Sequence, residues 1–377
     1  MDLNMKILYL PCRSVPFNIN RVDGGLEAVQ YNFIVNLSKV HDIDYVAFGD
    51  EEFGDVKVNT LSIDKPIGAK FTTAHAYKIK YKLQEITDWD QYDAIVIIEG
   101  SKMVLNTLAE LGQISKVRNI LATPLDPSVR GIVQCWNNAV MVHKLGGKNI
   151  VPTQTFKDLA ANVYSKMNER IAAEVIDFDY WQANDIIADE FYPPILISER
   201  PTVLESEGHI VQAQRFDNTF RKSNVAFGAM ELYDGPKIAF CPSKWAPGKK
   251  WLKQDHWVII DAKRQAVQTE ISTAKLLVNT CHNTGTVENG SLEAISQGTP
   301  VLQLIQKGYN HATFEYDPNT VRVEFEEGAS TQELIELYAK ALNDFEDTYE
   351  QRVARAEYLY KKFNEEAYFK LWEAVLK

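Results

Sequence analysis

Cysteine is scarce in this chain: four among 377 residues, at Cys12, Cys135, Cys241 and Cys281, with no Cys-x-x-Cys pair. Such spacing excludes a disulfide scaffold and leaves reduced, mostly buried thiols as the expectation. Histidine is as sparse, with seven residues and no HxH or HExxH cluster, so no metal site is expected. No apolar run approaches the roughly 20 residues that a bilayer-spanning helix needs. The opening Met1-Asp2-Leu3-Asn4-Met5-Lys6 lacks the zones of a secretory signal. A cytoplasmic protein without a transmembrane segment is therefore expected. Positive charge is also short, 40 Lys and Arg against 51 Asp and Glu, a net charge of −11. That balance disfavours non-specific polyanion binding but leaves room for a local basic cleft.

What is present is a folded-protein composition, 45% hydrophobic and 24% charged, in a chain longer than one core usually serves. Apolar runs at 5–12, 43–48, 93–98, 119–124 and 139–143 read as strands. Leu26, Val29, Phe33 and Leu37 recur at helical spacing up to Val40. Residues 191–201 contain three prolines and read as a linker. A second strand series follows at 209–213, 236–241, 257–261, 275–280, 300–305 and 321–325. The stretch 345–377 has neither Pro nor Gly and reads as one or two amphipathic helices. The alternation predicts an α/β protein: two Rossmann-like domains facing a central cleft, with C-terminal helices packing back across them. Domain limits are expected at 1–195 and 196–350, with 351–377 returning to the first domain.

The richest stretch is Glu288-Asn289-Gly290-Ser291-Leu292-Glu293, followed by Gly298-Thr299-Pro300-Val301. It reads as a loop acid, a short helix carrying a second acid, a turn and a strand. A helix start after a Gly-containing loop offers free N–H groups and a positive dipole end to a phosphate. Glu293, in the first turn, suits the two hydroxyls of a ribose, and Glu288 suits the hydroxyls of a sugar. Gly24 and Gly25, between the first strand and first helix, would let backbone approach a phosphate. Arg215 and the pair Arg221-Lys222 follow the first strand of the second domain, where cations would stabilise a departing diphosphate. Either Arg221 or Lys222 is the second cation. Asp126 follows the strand at 119–124 and would orient or deprotonate an acceptor hydroxyl; a helix N-cap before Pro127 is the ordinary alternative. Lys244, Trp245, Lys249, Lys250 and Trp251 lie in a segment with four lysines and no acid up to Lys253, a pattern able to track a phosphate backbone and stack on bases. Asp177-Phe178-Asp179 is an isolated DxD, common by chance.

Taken in order, these elements resemble the retaining glycosyltransferases of the GT-B fold. Gln214–Lys222 looks like their Arg…Lys diphosphate clamp and Glu288–Val301 like their E-x7-E region, although here four residues, not seven, separate the two acids. The resemblance implies a nucleotide-sugar donor, most often UDP-linked, bound mainly by the second domain and an acceptor bound by the first. It implies a hexosyl or pentosyl transfer with retention, no tightly bound cofactor and no essential DxD metal. A narrower resemblance, carried by Asp126-Pro127-Ser128-Val129, Arg215 with Lys222, and Leu292-Glu293 with Gly298-Thr299, is to phage α-glucosyltransferases acting on hydroxymethylcytosine in double-stranded DNA. A glycan, lipid-linked or small-molecule acceptor is the alternative, and a non-enzymatic sugar- or nucleotide-binding protein a further one.

Overall fold

The computed structural model describes residues 4–11, 25–48, 56, 58–63, 73–121, 132–162, 183–214, 216–217, 221–242, 257–282 and 288–377. The chain divides into two compact units, Met1–Leu196 with Glu366–Lys377, and Ile197–Glu365.

In the first unit the strands are β1 (Lys6–Leu10), β2 (Asp42–Phe48), β3 (Asn59–Ile63), β4 (Ala94–Ile98), β5 (Val117–Ile120), β6 (Lys148–Val151) and β7 (Ile187–Phe191). They form a parallel sheet in the order β3-β2-β1-β4-β5-β6-β7, with Ile7 opposite both Ile43 and Ala94. β4 is buried at every position, as befits a central strand covered on both faces. Side chains alternate between those faces. Ile7 and Tyr9 join Phe33, Leu37, Tyr368 and Trp372 on one side. Leu8 and Leu10 join Ile79, Leu83, Leu105 and Leu108 on the other.

The run 139–143, expected as a strand, lies inside the helix Ile132–Lys144. Its fully buried positions, with Trp136 just before them, are Ala139 and Val142. That spacing of three residues is helical, and the apolar Val140-Met141 between them disguises it.

The final helix, Glu365–Leu376, is tied to this unit by Arg118 on β5. The buried guanidinium donates to the carbonyl oxygens of Val375 (3.1 Å), Leu376 (3.1 Å) and Lys377 (3.0 Å). It thus satisfies helix-end acceptors and places positive charge at the negative dipole end.

The second unit holds β8 (Ile210–Gln212), β9 (Lys237–Cys241), β10 (Val258–Ile260), β11 (Leu276–Asn279), β12 (Val301–Gln306) and β13 (Val321–Phe325). The sheet order is β10-β9-β8-β11-β12-β13, all parallel. The helix Tyr349–Phe363 packs in this unit, so the return to the first begins at Glu366 rather than at 351. Its arginines explain why. Arg352 donates to the carbonyls of Leu204 (3.0 Å), Ala274 (2.9 Å) and Ser272 (2.9 Å). Arg355 pairs with buried Asp317 (2.8 Å) and with Asp347 (3.2 Å), and donates to the Gly298 carbonyl (2.8 Å). Gly298 itself has φ +84°, and a Cβ there would lie 2.7 Å from the Arg352 carbonyl oxygen.

Two stability outcomes follow from this junction. Arg355→Ala leaves Asp317 buried without its counter-ion and should cost about 3–5 kcal/mol in the second unit's unfolding transition. Gly298→Ala combines a left-handed backbone with a backbone clash and should cost at least about 1–2 kcal/mol. Urea unfolding followed by tryptophan fluorescence checks both; wild-type midpoints would contradict them.

Candidate functional site

In the second sheet the chain builds outward from β8 through β9 to β10, then returns to place β11 on the other side of β8. Connections leaving β8 and β11 therefore diverge, which opens a crevice at their C-terminal ends, where doubly wound sheets bind ligands. β8 leads through Gln214, Arg221 and Lys222 into the helix Ser223–Glu231. β11 leads through Thr280, Cys281 and His282 to Glu288 and the helix Asn289–Ser296.

Buried polar side chains tie these two connections together. Gln214 Nε2 donates to Asn279 Oδ1 (2.8 Å), and Asn279 Nδ2 donates to Ser291 Oγ (2.8 Å). The Cys281 amide also donates to Asn279 Oδ1 (2.9 Å). The Thr280 hydroxyl donates to the Arg221 carbonyl (2.5 Å). All four side chains at Gln214, Asn279, Thr280 and Ser291 are buried. Each is bonded, as buried polar groups must be.

The charged groups divide into two kinds. Arg221 Nη2 meets Glu288 Oε1 at 2.7 Å. Burial opposes charge on Arg221, but Glu288, Cys281 and Asp217 outweigh it and raise the pKa above its ordinary value. Lys222 is different. It precedes its helix in the left-handed region, φ +43°, half-buried, with Nζ 5.6 Å from the Phe325 ring centroid. No carboxylate among the described residues pairs with it, and burial lowers its pKa. Of the two candidates for second cation, Arg221 is thus engaged by Glu288, whereas Lys222 carries a charge available to an anion.

At the helix start, Glu288 is the N-cap residue but makes no side-chain cap, because its carboxylate faces Arg221. The amides of Ser291 (2.9 Å) and Leu292 (3.2 Å) return to the Glu288 carbonyl. Gly290 borders open space: a Cβ there would find only the Ala213 carbonyl oxygen, 4.0 Å away. One turn on, Glu293 Oε1 accepts from Arg264 Nη2 at 2.5 Å. Burial raises the Glu293 pKa against the pull of Arg264. Arg264 is more than half exposed, so its hold on Glu293 can yield to another donor.

Ser291 and Leu292 are buried on the inner face of the helix. The Ser291 hydroxyl and amide are both committed inside the protein, so these residues seat the helix. Gly25 opens the helix Gly25–Leu37 in the first unit. Gly24, Asp126, Arg215, Lys244, Trp245, Lys249, Lys250, Trp251 and the Asp177–Asp179 pair lie outside the described residues. Sequence reasoning missed Gln214, Asn279 and Arg264. A polar Asn-Thr directly after the apolar Leu276-Leu277-Val278 was the available signal for Asn279. Among the described residues no group of three His, Cys, Asp or Glu is placed to hold a metal, and no helix is long and apolar enough to cross a membrane.

Lys222 carries a stability cost with a definite pH dependence. Its folded pKa lies below the ordinary 10.5. The native state therefore binds fewer protons than the unfolded chain between those values. The cost of the buried ammonium is fully present at neutral pH and fades as pH rises through the folded value. Lys222→Met should melt at or above the wild-type temperature at pH 7, the difference narrowing toward pH 10. A clearly lower melting temperature at pH 7 would contradict this.

No family model matches the sequence, and no curated protein matches it. Solved structures do. The chain is similar to the lipopolysaccharide outer core galactosyltransferase WaaB in its apo form, at 14% identity over 99% of each chain, with a TM-score of 0.58. It is similar to WaaG, a glycosyltransferase involved in lipopolysaccharide biosynthesis, at 14% identity over 98% of each chain, TM-score 0.59. It is also similar to Arabidopsis thaliana UGT89C1 complexed with UDP, at 12% identity over 98% of each chain, TM-score 0.52. Identities this low speak for the path of the backbone, and the coverage takes in both units. With its two parallel, doubly wound sheets, the chain has the GT-B fold of these glycosyltransferases.

Proposed function

We propose that this chain is a glycosyltransferase that moves a sugar from a UDP-sugar to an acceptor hydroxyl. The observation that carries the reading is the grouping beside β8 and β11: Lys222 with no carboxylate partner among the described residues, open space at Gly290 in the helix start, and Glu293 one turn on. A diphosphate needs cations and N–H donors, and a ribose needs a carboxylate one helical turn away. The similarity to WaaB, a galactosyltransferase, and to UGT89C1 with UDP supports the choice of donor.

In this reading Lys222 and Arg215 stabilise charge on the departing diphosphate, which lessens the need for a metal. Glu293 accepts hydrogen bonds from the ribose 2′- and 3′-hydroxyls. Arg221 fixes Glu288 toward the sugar, and the amides of Asn289 and Gly290 face the phosphates. The acceptor binds the first unit, where Asp126 orients or deprotonates its hydroxyl, the backbone at Gly24 and Gly25 approaches the donor's phosphates, and configuration is retained. The lysines and tryptophans of Lys244–Lys253 favour a DNA acceptor carrying hydroxymethylated pyrimidines.

A panel of UDP-hexoses and UDP-pentoses, assayed for UDP release, tests the activity. Arg215→Ala and Lys222→Ala should each lower kcat by about 10²–10³-fold without loss of folding. Near-wild-type turnover in both would sink the assignment. Glu293→Ala should weaken UDP binding by about 10–100-fold in calorimetry, the worth of hydrogen bonds to a charged group; unchanged affinity removes it from the site. A gel shift with hydroxymethylated DNA that weakens steeply with salt supports the DNA acceptor, and no shift at low salt excludes it.

A further inference from the structure

The connection that follows β10 brings a cation to Glu293. It runs through Asp261, whose amide donates to the Cys241 carbonyl (3.1 Å), into the helix Arg264–Thr273. Lys263 is the N-cap residue of that helix, Arg264 is its first residue, and its first turn holds no acid. Two cations at the positive end of a helix dipole find no favourable local field. In the sheet, β9 and β8 lie between β10 and β11. Arg264 nevertheless reaches the helix that follows β11, where its Nη2 meets Glu293 Oε1 at 2.5 Å.

The two partners differ in exposure. The Arg264 side chain is 55% exposed and that of Glu293 19%. The arginine thus has water to move into, whereas the glutamate stands on a fixed base. The Ser296 hydroxyl (2.8 Å) and Gln297 Nε2 (3.1 Å) both donate to its backbone carbonyl, and Ser291 seats the same helix on Asn279. Among the described residues no other cation pairs with Glu293. Burial disfavours the ionised carboxylate, and Arg264 is what opposes that effect. A ligand that takes Glu293 must therefore replace the donor that Arg264 withdraws. The two adjacent hydroxyls of a ribose can do so; a sugar ring that lacks them cannot.

We propose that Arg264 is a specificity-determining residue of the nucleotide site: its guanidinium competes with the ribose 2′- and 3′-hydroxyls for the Glu293 carboxylate, so a nucleotide lacking them leaves the pair closed. The inference rests on the glycosyltransferase reading above and adds the group that a ribonucleotide must displace. The exchange replaces one ion pair by two hydrogen bonds from neutral donors. The affinity measured for UDP is then the intrinsic one, reduced by the fraction of molecules in which Glu293 is released. Removing Arg264 has two effects of opposite sign. Loss of positive charge weakens the attraction of an anion. Loss of the competitor strengthens the hold on the ribose. The second effect vanishes when either side of those hydrogen bonds is missing, whether the hydroxyls of the ligand or Glu293 itself.

Calorimetry of the full chain with UDP and with 2′,3′-dideoxy-UDP separates the two effects. R264A and R264M, the latter of similar length and without a donor, should each bind UDP about two- to fivefold more tightly than wild type, the worth of an exposed ion pair. Both should bind 2′,3′-dideoxy-UDP no more tightly than wild type does. In an E293A background, R264A should leave the UDP dissociation constant unchanged. R264M keeps an apolar stem in place, so a loss of folding in R264A alone leaves the test standing. Unchanged or weaker UDP binding by R264M overturns the proposal, as does equal tightening toward the dideoxy nucleotide. Wild-type protein that does not bind UDP, or E293A that binds it as wild type does, overturns the functional reading itself, a result distinct from either.

Discussion

The side-chain amide of Asn279 is the junction on which the second unit's site depends. It accepts from Gln214, beyond β8, and from the Cys281 amide, and it donates to Ser291, inside the following helix. The connection after β8 and the helix after β11 are therefore fixed to one planar group at the end of β11. That group helps set the helix Asn289–Ser296 against the connection that carries Lys222, together with the Arg221–Glu288 pair. A buried network is rigid only when each member is satisfied, and this one presents bonded groups at each link. Its own backbone is held as well, since the Asn279 amide donates to the Tyr338 hydroxyl (3.0 Å).

Around that junction the charges follow one physical logic. Arg221 and Glu288 neutralise each other at 2.7 Å and give the loop its shape. Lys222 and Glu293 sit in environments that disfavour their charged forms, and burial shifts both accordingly. Lys222 would gain its counter-charge from an anion, whereas Glu293 already accepts from Arg264 and would have to exchange it for another donor. Stability and ligand binding thus pull against each other at these positions, as they commonly do in functional sites.

Much of the fold was legible because the central strands are apolar on both faces. Leu276–Asn279 and Val301–Gln306 announce themselves without any periodicity argument. The reading failed at 139–143, where a helix buried on one side interleaves apolar residues between its core positions. It also failed at β3, an edge strand whose exposed positions leave little pattern. The site was legible in kind: the Glu288–Glu293 segment was visible as a helix start with two acids. The pairing of Arg221 with Glu288 was not, since sixty-seven residues separate them. Nor was the left-handed backbone at Lys222, because tertiary bonds, not local sequence, impose it.

The hold of Arg118 on the last helix has a bearing on how the protein is made. Tyr368, Phe369, Trp372 and Val375 cover one face of the first sheet, yet the ribosome produces them only after the whole of Ile197–Glu365. A nascent first unit must wait with that face, built around Ile7, Tyr9 and Val96, uncovered. Its sheet is sealed only by a segment made after the second unit, and during that interval the unit is exposed to association with whatever apolar surface is near.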